Sequence, residues 1–209
     1  MSIFLKIRIR ISKEENASAY HVNIGETIEI PYRDYLYGVV ASEIGNAPLE
    51  ACKAQAVASR TLSYSYALSG KVISDSSQKI QSFRASRVNN SAYQNAYYAV
   101  DETNNQVLVC NGSMISPCSF SSSNGGKTTS SLSRWGSYRT WLIEQRDPWD
   151  LAATKGKKAG HGVGMSQAGA KYAAETGISY RDILSFYYPN TMIELMKGAD
   201  DSVSVKASY

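Results

Sequence analysis

Glu43 is the carboxylate whose position in the chain could do chemistry. Tyr35, Leu36, Val39, Val40 and Glu43 are spaced by threes and fours, which places them on one stripe of a helix with its 3.6-residue repeat. Such a stripe faces a core, so Glu43 stands where an apolar residue is expected. Removal from water disfavours the charged carboxylate and raises its pKa, and a carboxyl protonated near neutral pH is what general-acid catalysis requires. Near a helix end the same residue could instead point into solvent or pair with Arg60 or Lys53. Gln55 and Arg60, on the alanine-rich segment that follows, either point towards Glu43 or stand as ordinary exposed helix residues.

The second candidate is His161, one of two histidines in the chain, set in "AGHGVGMSQAGA" (159–170). Glycines allow positive φ and close approach of backbone to a ligand. The segment leads into a helix start, where free N–H groups favour acceptors. Residue type alone leaves His161 as a metal ligand, a base or a hydrogen-bonding positioner. The Ser/Thr/Gly-rich stretch "SSSNGGKTTSSLSRWGS" (121–137) has the length of a functional loop. Three cysteines, Cys52, Cys110 and Cys118, occur without a CxxC spacing, and an odd count argues against a disulfide framework. Cys52 or Cys118 with His161 would make a cysteine hydrolase, although alanine and leucine neighbours of Cys52 point to packing. No G-x-S-x-G elbow supports a serine hydrolase.

The elements that must position these residues follow from periodicity. "IFLKIRIRI" alternates as a half-buried strand, and "AYHVNIGETIEIPYRDY" reads as a further strand pair turning at Gly25. A helix is expected over 32–44 and a second from near Pro48 to Gly70. Residues 71–90 read as loop, and 91–105 as a short helix. The segment 106–120 reads as a hairpin turning at Asn111-Gly112, with Cys110 opposite Ser113. Helices are expected over about 165–176 and in "SYRDILSFYYPN", the latter stopped by Pro189. The expected fold is α+β: a single domain over 1–209 with short antiparallel strands or hairpins, several helices and a loop-built groove.

Composition narrows the partners. The 209 residues carry a net charge of +4 with 43% hydrophobic and 19% charged residues, an ordinary globular balance. The basic residues are dispersed, except for Lys6/Arg8/Arg10/Lys13 and Lys155/Lys157/Lys158. That argues against nucleic acid and reads as solvated faces that tolerate an anionic polymer. Fifteen tyrosines against four phenylalanines offer rings that keep a hydroxyl in water, as polar ligand grooves do. No stretch approaches the roughly 20 apolar residues of a membrane span. "MSIFLKIRIRIS" is too short in its apolar run for a signal peptide.

Several segments, in order, match one family. "YLYGVVASEIGNAPLEACKAQAVASRT" (35–61), "FSSSNGGKTTSS" (120–131), "GHGVGMSQAGAKYAA" (160–174) and "DILSFYYPNT" (182–191) resemble the sporulation stage II protein D (SpoIID) family, which includes amidase-enhancer proteins. "SDSSQKIQSF" (74–83) is a weaker match, and the motif core spans about 31–191. The resemblance implies a lytic transglycosylase, a glycan-cleaving lyase acting on peptidoglycan strands stripped of stem peptides by an amidase partner. The glutamate of the family's A-S-E-[IM] motif is the catalytic acid and falls on Glu43, the residue that the helical stripe also selects. Such an enzyme uses the sugar's own 6-hydroxyl as nucleophile and leaves 1,6-anhydro ends, so one carboxyl serves as acid and then base.

Gln55, Arg60, Ser122, Ser123, Gly125, Gly126, His161, Gly162, Ser166 and Gln167 fall on the remaining motif positions and would orient the sugar. Some members carry a histidine in F-H-S-T-S-G-G, and some bind zinc through that loop. Here Ser121 takes the histidine position and no cysteine follows Ser119. Zinc typically needs four ligands, so neither a metal nor another cofactor is expected. The alternative is a non-catalytic glycan-binding amidase enhancer. Either role implies an extracytoplasmic location, for which this chain shows no export signal or anchor.

Overall fold

The computed structural model describes residues 5–196. The alternating KIRIR segment forms β1 (Lys6–Arg10), whose Ile7 and Ile9 are buried while its basic residues face out. It is followed by α1 (Glu14–Tyr20), β2 (Thr27–Pro31), α2 (Tyr32–Glu43), α3 (Leu49–Ser69) and β3 (Val72–Ser74). Strand β1 lies in the middle of a sheet, antiparallel to β2 (Ile7 opposite Ile30) and parallel to β3 (Ile9 opposite Ile73). The first strand of the pair expected before Gly25 does not form: Ala19 and Tyr20 end α1, and residues 21–24 are turn and irregular chain. Glu14 and Glu15 favour the N-terminus of α1, and His21 closes the helix in the left-handed conformation at φ 54°. Within 71–90, Val72–Ser74 pairs with β1 rather than forming loop.

The two central helices match expectation closely. Pro48 precedes α3 and Gly70 caps its end at φ 64°. Along α3, Ala51, Ala54, Ala56 and Ala58 are fully buried, and their small side chains let α2 and the later helices approach closely. Then come α4 (Gln94–Glu102), β4 (Gln106–Cys110), β5 (Ser113–Met114), β6 (Phe120–Ser121), β7 (Ser123–Asn124), α5 (Ser131–Trp135) and α6 (Pro148–Thr154). The chain ends in β8 (Lys158–Ala159), β9 (Met165–Ser166), α7 (Gln167–Glu175), α8 (Tyr180–Tyr187) and β10 (Met192–Leu195).

The hairpin turns at Asn111-Gly112, both at positive φ, with Cys110 opposite Ser113 as the primed-turn signal requires. Its second arm is shorter than expected, because Pro117 has no N–H to continue the ladder. Strand β4 also pairs with β10, making a second sheet in the order β10-β4-β5. The fold is α+β, eight helices with short strands in small sheets among the described residues.

Two very short pairings join distant motifs. Phe120 and Ser121 of β6 run parallel to Met165 and Ser166 of β9, and Ser123 and Asn124 of β7 pair with Ala159 and Lys158 of β8. The glycine loop 160–164 is therefore held at both ends against the serine-rich segment. Gly164 makes this possible: a Cβ there would lie 1.9 Å from the Ser119 carbonyl oxygen.

Candidate active site

Helix α2 carries Glu43 on its last turn, behind the buried row Tyr35, Leu36, Val39 and Val40. Its approach to the 75–84 segment depends on Gly38, where a Cβ would sit 2.5 Å from the Phe83 ring. That approach lets the Ser82 N–H donate to Glu43 Oε1 at 2.5 Å, while Gln167 Nε2 at the start of α7 donates to Oε2 at 3.0 Å. Gln167 also donates to Gln55 Oε1 at 3.3 Å, and Gln55 in turn donates to Ser59 Oγ. Neither Arg60 nor Lys53 pairs with Glu43. Burial raises the Glu43 carboxyl above the usual glutamate range, opposed by the Ser82 and Gln167 hydrogen bonds and by the Lys13 ammonium. Burial thus pushes the carboxyl towards its protonated form, the form a general acid needs, while two donors fix its oxygens.

A cleft of about 800 Å³ opens beside this cluster. Its lining includes Leu62 and Tyr66 of α3, Ser77–Ile80, Ser119–Phe120, Trp135 and His161. Glu43 is not itself in the lining, but each wall leads to it. Gln55, Ser59, Leu62 and Tyr66 form one stripe of α3 at helical spacing. Ile80 precedes Ser82 by two residues, and Phe120 pairs with Met165, two residues before Gln167. Glu43 is thus linked to the lined cleft through the elements that carry Ser82, Gln167 and Gln55.

His161 stands on the opposite wall, its ring 5.5 Å from that of Trp135 and tilted against it. Nδ1 accepts from the Val163 N–H at 3.0 Å, so the neutral ring carries its proton on Nε2. Burial, with Arg134 and Lys158 nearby, holds its pKa below the usual histidine value against a backbone bond at Phe120. The ring is neutral at pH 7. Ser121 Oγ accepts from the Gly162 N–H at 3.2 Å, so this hydroxyl anchors the glycine loop. Among the described residues no three His, Cys, Asp or Glu side chains cluster as metal ligands. A serine hydroxyl with a lone imidazole does not fit a zinc donor set.

Several residues expected at the site have other duties. Arg60 is 2% exposed and turns towards α4 and β4, donating to the Val100 and Gln106 carbonyls and to Thr103 Oγ1. Ser166 is fully buried, donating to Asp150 Oδ1 and capping α7 through the Gly169 N–H. Ser123 is buried and donates to the Lys157 carbonyl and Asp150 Oδ2. Gly125 and Gly126 pack under Lys158 and Leu151, and Gly162 lies beneath the Lys158 side chain. Ser122 is exposed, and its carbonyl accepts from the Ala168 N–H beside Gln167. The structure thus gathers Gln55 and Gln167 around Glu43 and sets His161 on the cleft wall. It does not bring Arg60, Ser123, Gly125, Gly126, Gly162 or Ser166 there as ligand-facing groups.

Two buried aspartates, unmarked in the sequence reading, organise this region. Asp150 accepts from the Asn124 and Gly126 N–H groups and from the Ser166, Ser123 and Thr154 hydroxyls. Burial alone would raise its pKa, but these bonds together hold it below the ordinary aspartate value. Asp147 caps α6 through the Asp150 N–H and accepts from Asn124 Nδ2 and the Tyr187 hydroxyl. Asp147-Pro148 was the available signal: a capping residue followed by proline in the first turn. Burial pushes the Cys52 and Cys118 thiols up to about 12.

Residues 20–110 match the Stage II sporulation protein family model. Over that span, a little under half of its length, the chain is similar to the SpoIID family. It is 24% identical to stage II sporulation protein D of Bacillus subtilis (strain 168) across 78% of this chain and 74% of that protein. It is also 63% identical over 38 residues to a Bacillus subtilis (strain 168) protein named amidase enhancer, a match covering 18% of this chain and 5% of that relative. The SpoIID model match takes in Glu43, Gln55 and Ser82 but neither Lys13, on one side, nor His161 and Gln167, on the other. Among the described residues, no helix is long and apolar enough to cross a membrane.

Proposed function

We propose that this chain is a peptidoglycan lytic transglycosylase that cleaves glycan strands with Glu43 as its single acid and base. The observation that carries the reading is the Glu43 carboxyl itself: desolvated, held by Ser82 and Gln167, on elements that also wall a polar and aromatic cleft. Protonated Glu43 gives its proton to the glycosidic oxygen as the bond to the anomeric carbon breaks. The 6-hydroxyl of the same sugar attacks that carbon, and the carboxylate takes the hydroxyl proton. One bond breaks and one forms, the proton returns to Glu43, and the product carries a 1,6-anhydro end. Gln167, braced by Gln55, orients the carboxyl, while Ser122 and His161 border the path of the strand. Peptidoglycan lies outside the membrane, so this role is extracytoplasmic.

The test is incubation with peptide-stripped glycan strands and mass spectrometry of the ends. Anhydro products from the wild type that vanish in Glu43→Gln are the expected result. Binding without product in both proteins would sink the catalytic reading and favour a second one, a non-catalytic glycan-binding enhancer of a cell-wall amidase. The 38-residue similarity to the protein named amidase enhancer supports that second reading. Under it, amidase turnover on intact wall would rise equally with the wild type and with Glu43→Gln.

A further inference from the structure

The charge of the cleft is one-sided. Its lining holds Lys71 and Lys79 and no carboxylate. Both lysines are exposed, and among the described residues neither ammonium group has an ion-pair or hydrogen-bond partner. Lys6, by contrast, pairs with Glu29, Lys53 with Glu50, and Lys127 with Glu144, whereas among the described residues Lys155, Lys157 and Lys171 outside the cleft also lack a side-chain partner. Arg134 and Lys158 add positive field on the far side, acting on His161. The same cleft is lined by the rings of Tyr66, Phe120, Trp135 and His161. Trp135 is 45% exposed, leaving a face for an apolar sugar surface. A volume of about 800 Å³ suits a short run of sugar rings rather than one small ion.

We propose that Lys71 and Lys79 are specificity residues that select glycan bearing a carboxylate on its sugars, with Trp135 as the stacking platform. The proposal rests on the reading of the cleft as a glycan site and adds what that site discriminates. In peptide-stripped strands every second sugar presents a lactyl carboxylate, and two unpartnered ammonium groups in the cleft supply its counter-charge. The pairs are partly solvated, so they set preference among strands rather than the bulk of affinity.

Calorimetric titration of Glu43→Gln, which does not turn over the ligand, tests this with two probes. One is a peptide-stripped strand fragment, and the other is the same fragment with its carboxylates converted to methylamides. The native fragment is expected to bind about three- to tenfold tighter at low salt, the range two exposed ion pairs supply. The gap is expected to close at about 0.5 M salt, and to close at low salt in Glu43→Gln with Lys71→Gln and Lys79→Gln. Equal binding of both probes by the parent protein would overturn the proposal while leaving the glycan reading intact. A gap that persists without the lysines would overturn their assignment. Failure of both probes to bind would overturn the glycan reading as well.

Discussion

At Glu43, burial favours the proton while Ser82, Gln167 and Lys13 favour the charge, and burial prevails. That balance has a consequence for folding. A carboxyl whose folded pKa is raised makes its full contribution to stability below its unfolded value and loses it as pH rises through the folded one. Glu43→Gln removes the titration. Its melting temperature relative to wild type is therefore expected to climb as pH rises from about 4, the ordinary glutamate range, towards 8. Thermal melts of both proteins across that range check this, and a difference independent of pH would show that the carboxyl is not shifted. Arg60 makes the opposite point: its polar head serves backbone carbonyls of neighbouring elements, so a polar residue near the motif is not thereby a ligand.

At the scale of elements, the Ser82 N–H is placed by a clamp from the N-terminal segment. Asp75 accepts from the Ser12 and Lys13 N–H groups and from Asn16 Nδ2. Lys13 Nζ donates to Ser82 Oγ at 2.7 Å and to the Phe83 carbonyl at 2.9 Å. Asp75, Arg84, Glu15 and Glu43 are the charges that act on Lys13. The connection between β1 and α1 thus fixes the wall that holds the acid. Lys13→Met removes both an ammonium that favours charged Glu43 and a tether on Ser82. Both losses raise the Glu43 pKa, so the alkaline limb of the kcat/KM profile on stripped strands is expected to move to higher pH. An unmoved limb in a folded variant, checked by circular dichroism, would show that the clamp is structural only. No sequence signal marks it, since Lys13 and Asp75 lie 62 residues apart.

For the molecule as a whole, Asp150 links the serine-rich segment, α6 and the start of α7, while Asp147 extends the link to Tyr187 of α8. Asp150→Ala would strand buried donors at Asn124, Gly126 and Ser166. We expect a loss of about 3 kcal/mol at pH 7 in urea unfolding, with the secondary structure of the first hundred residues the last to go. Because the Asp150 pKa is lowered in the fold, its stabilisation is present above the ordinary aspartate value of about 4 and fades as pH falls through the folded one. The gap between wild type and variant should therefore narrow at acid pH, and a constant gap would count against the assignment. Local periodicity made α2, α3, α7, α8, the hairpin register and the stripe ending in Glu43 legible, because a helix or strand repeats its burial pattern along the chain. Sequence by itself thus determined which face of α2 is buried and that a carboxylate stands on it. Only the tertiary structure decided what meets that carboxylate. Gln167 reaches it from 124 residues away, and Ser123, Gly125, Gly126 and Ser166 turn inward around Asp150 instead. The period of an element reports that a face is covered, whereas its cover comes from chain closure over long separations, which no local pattern encodes.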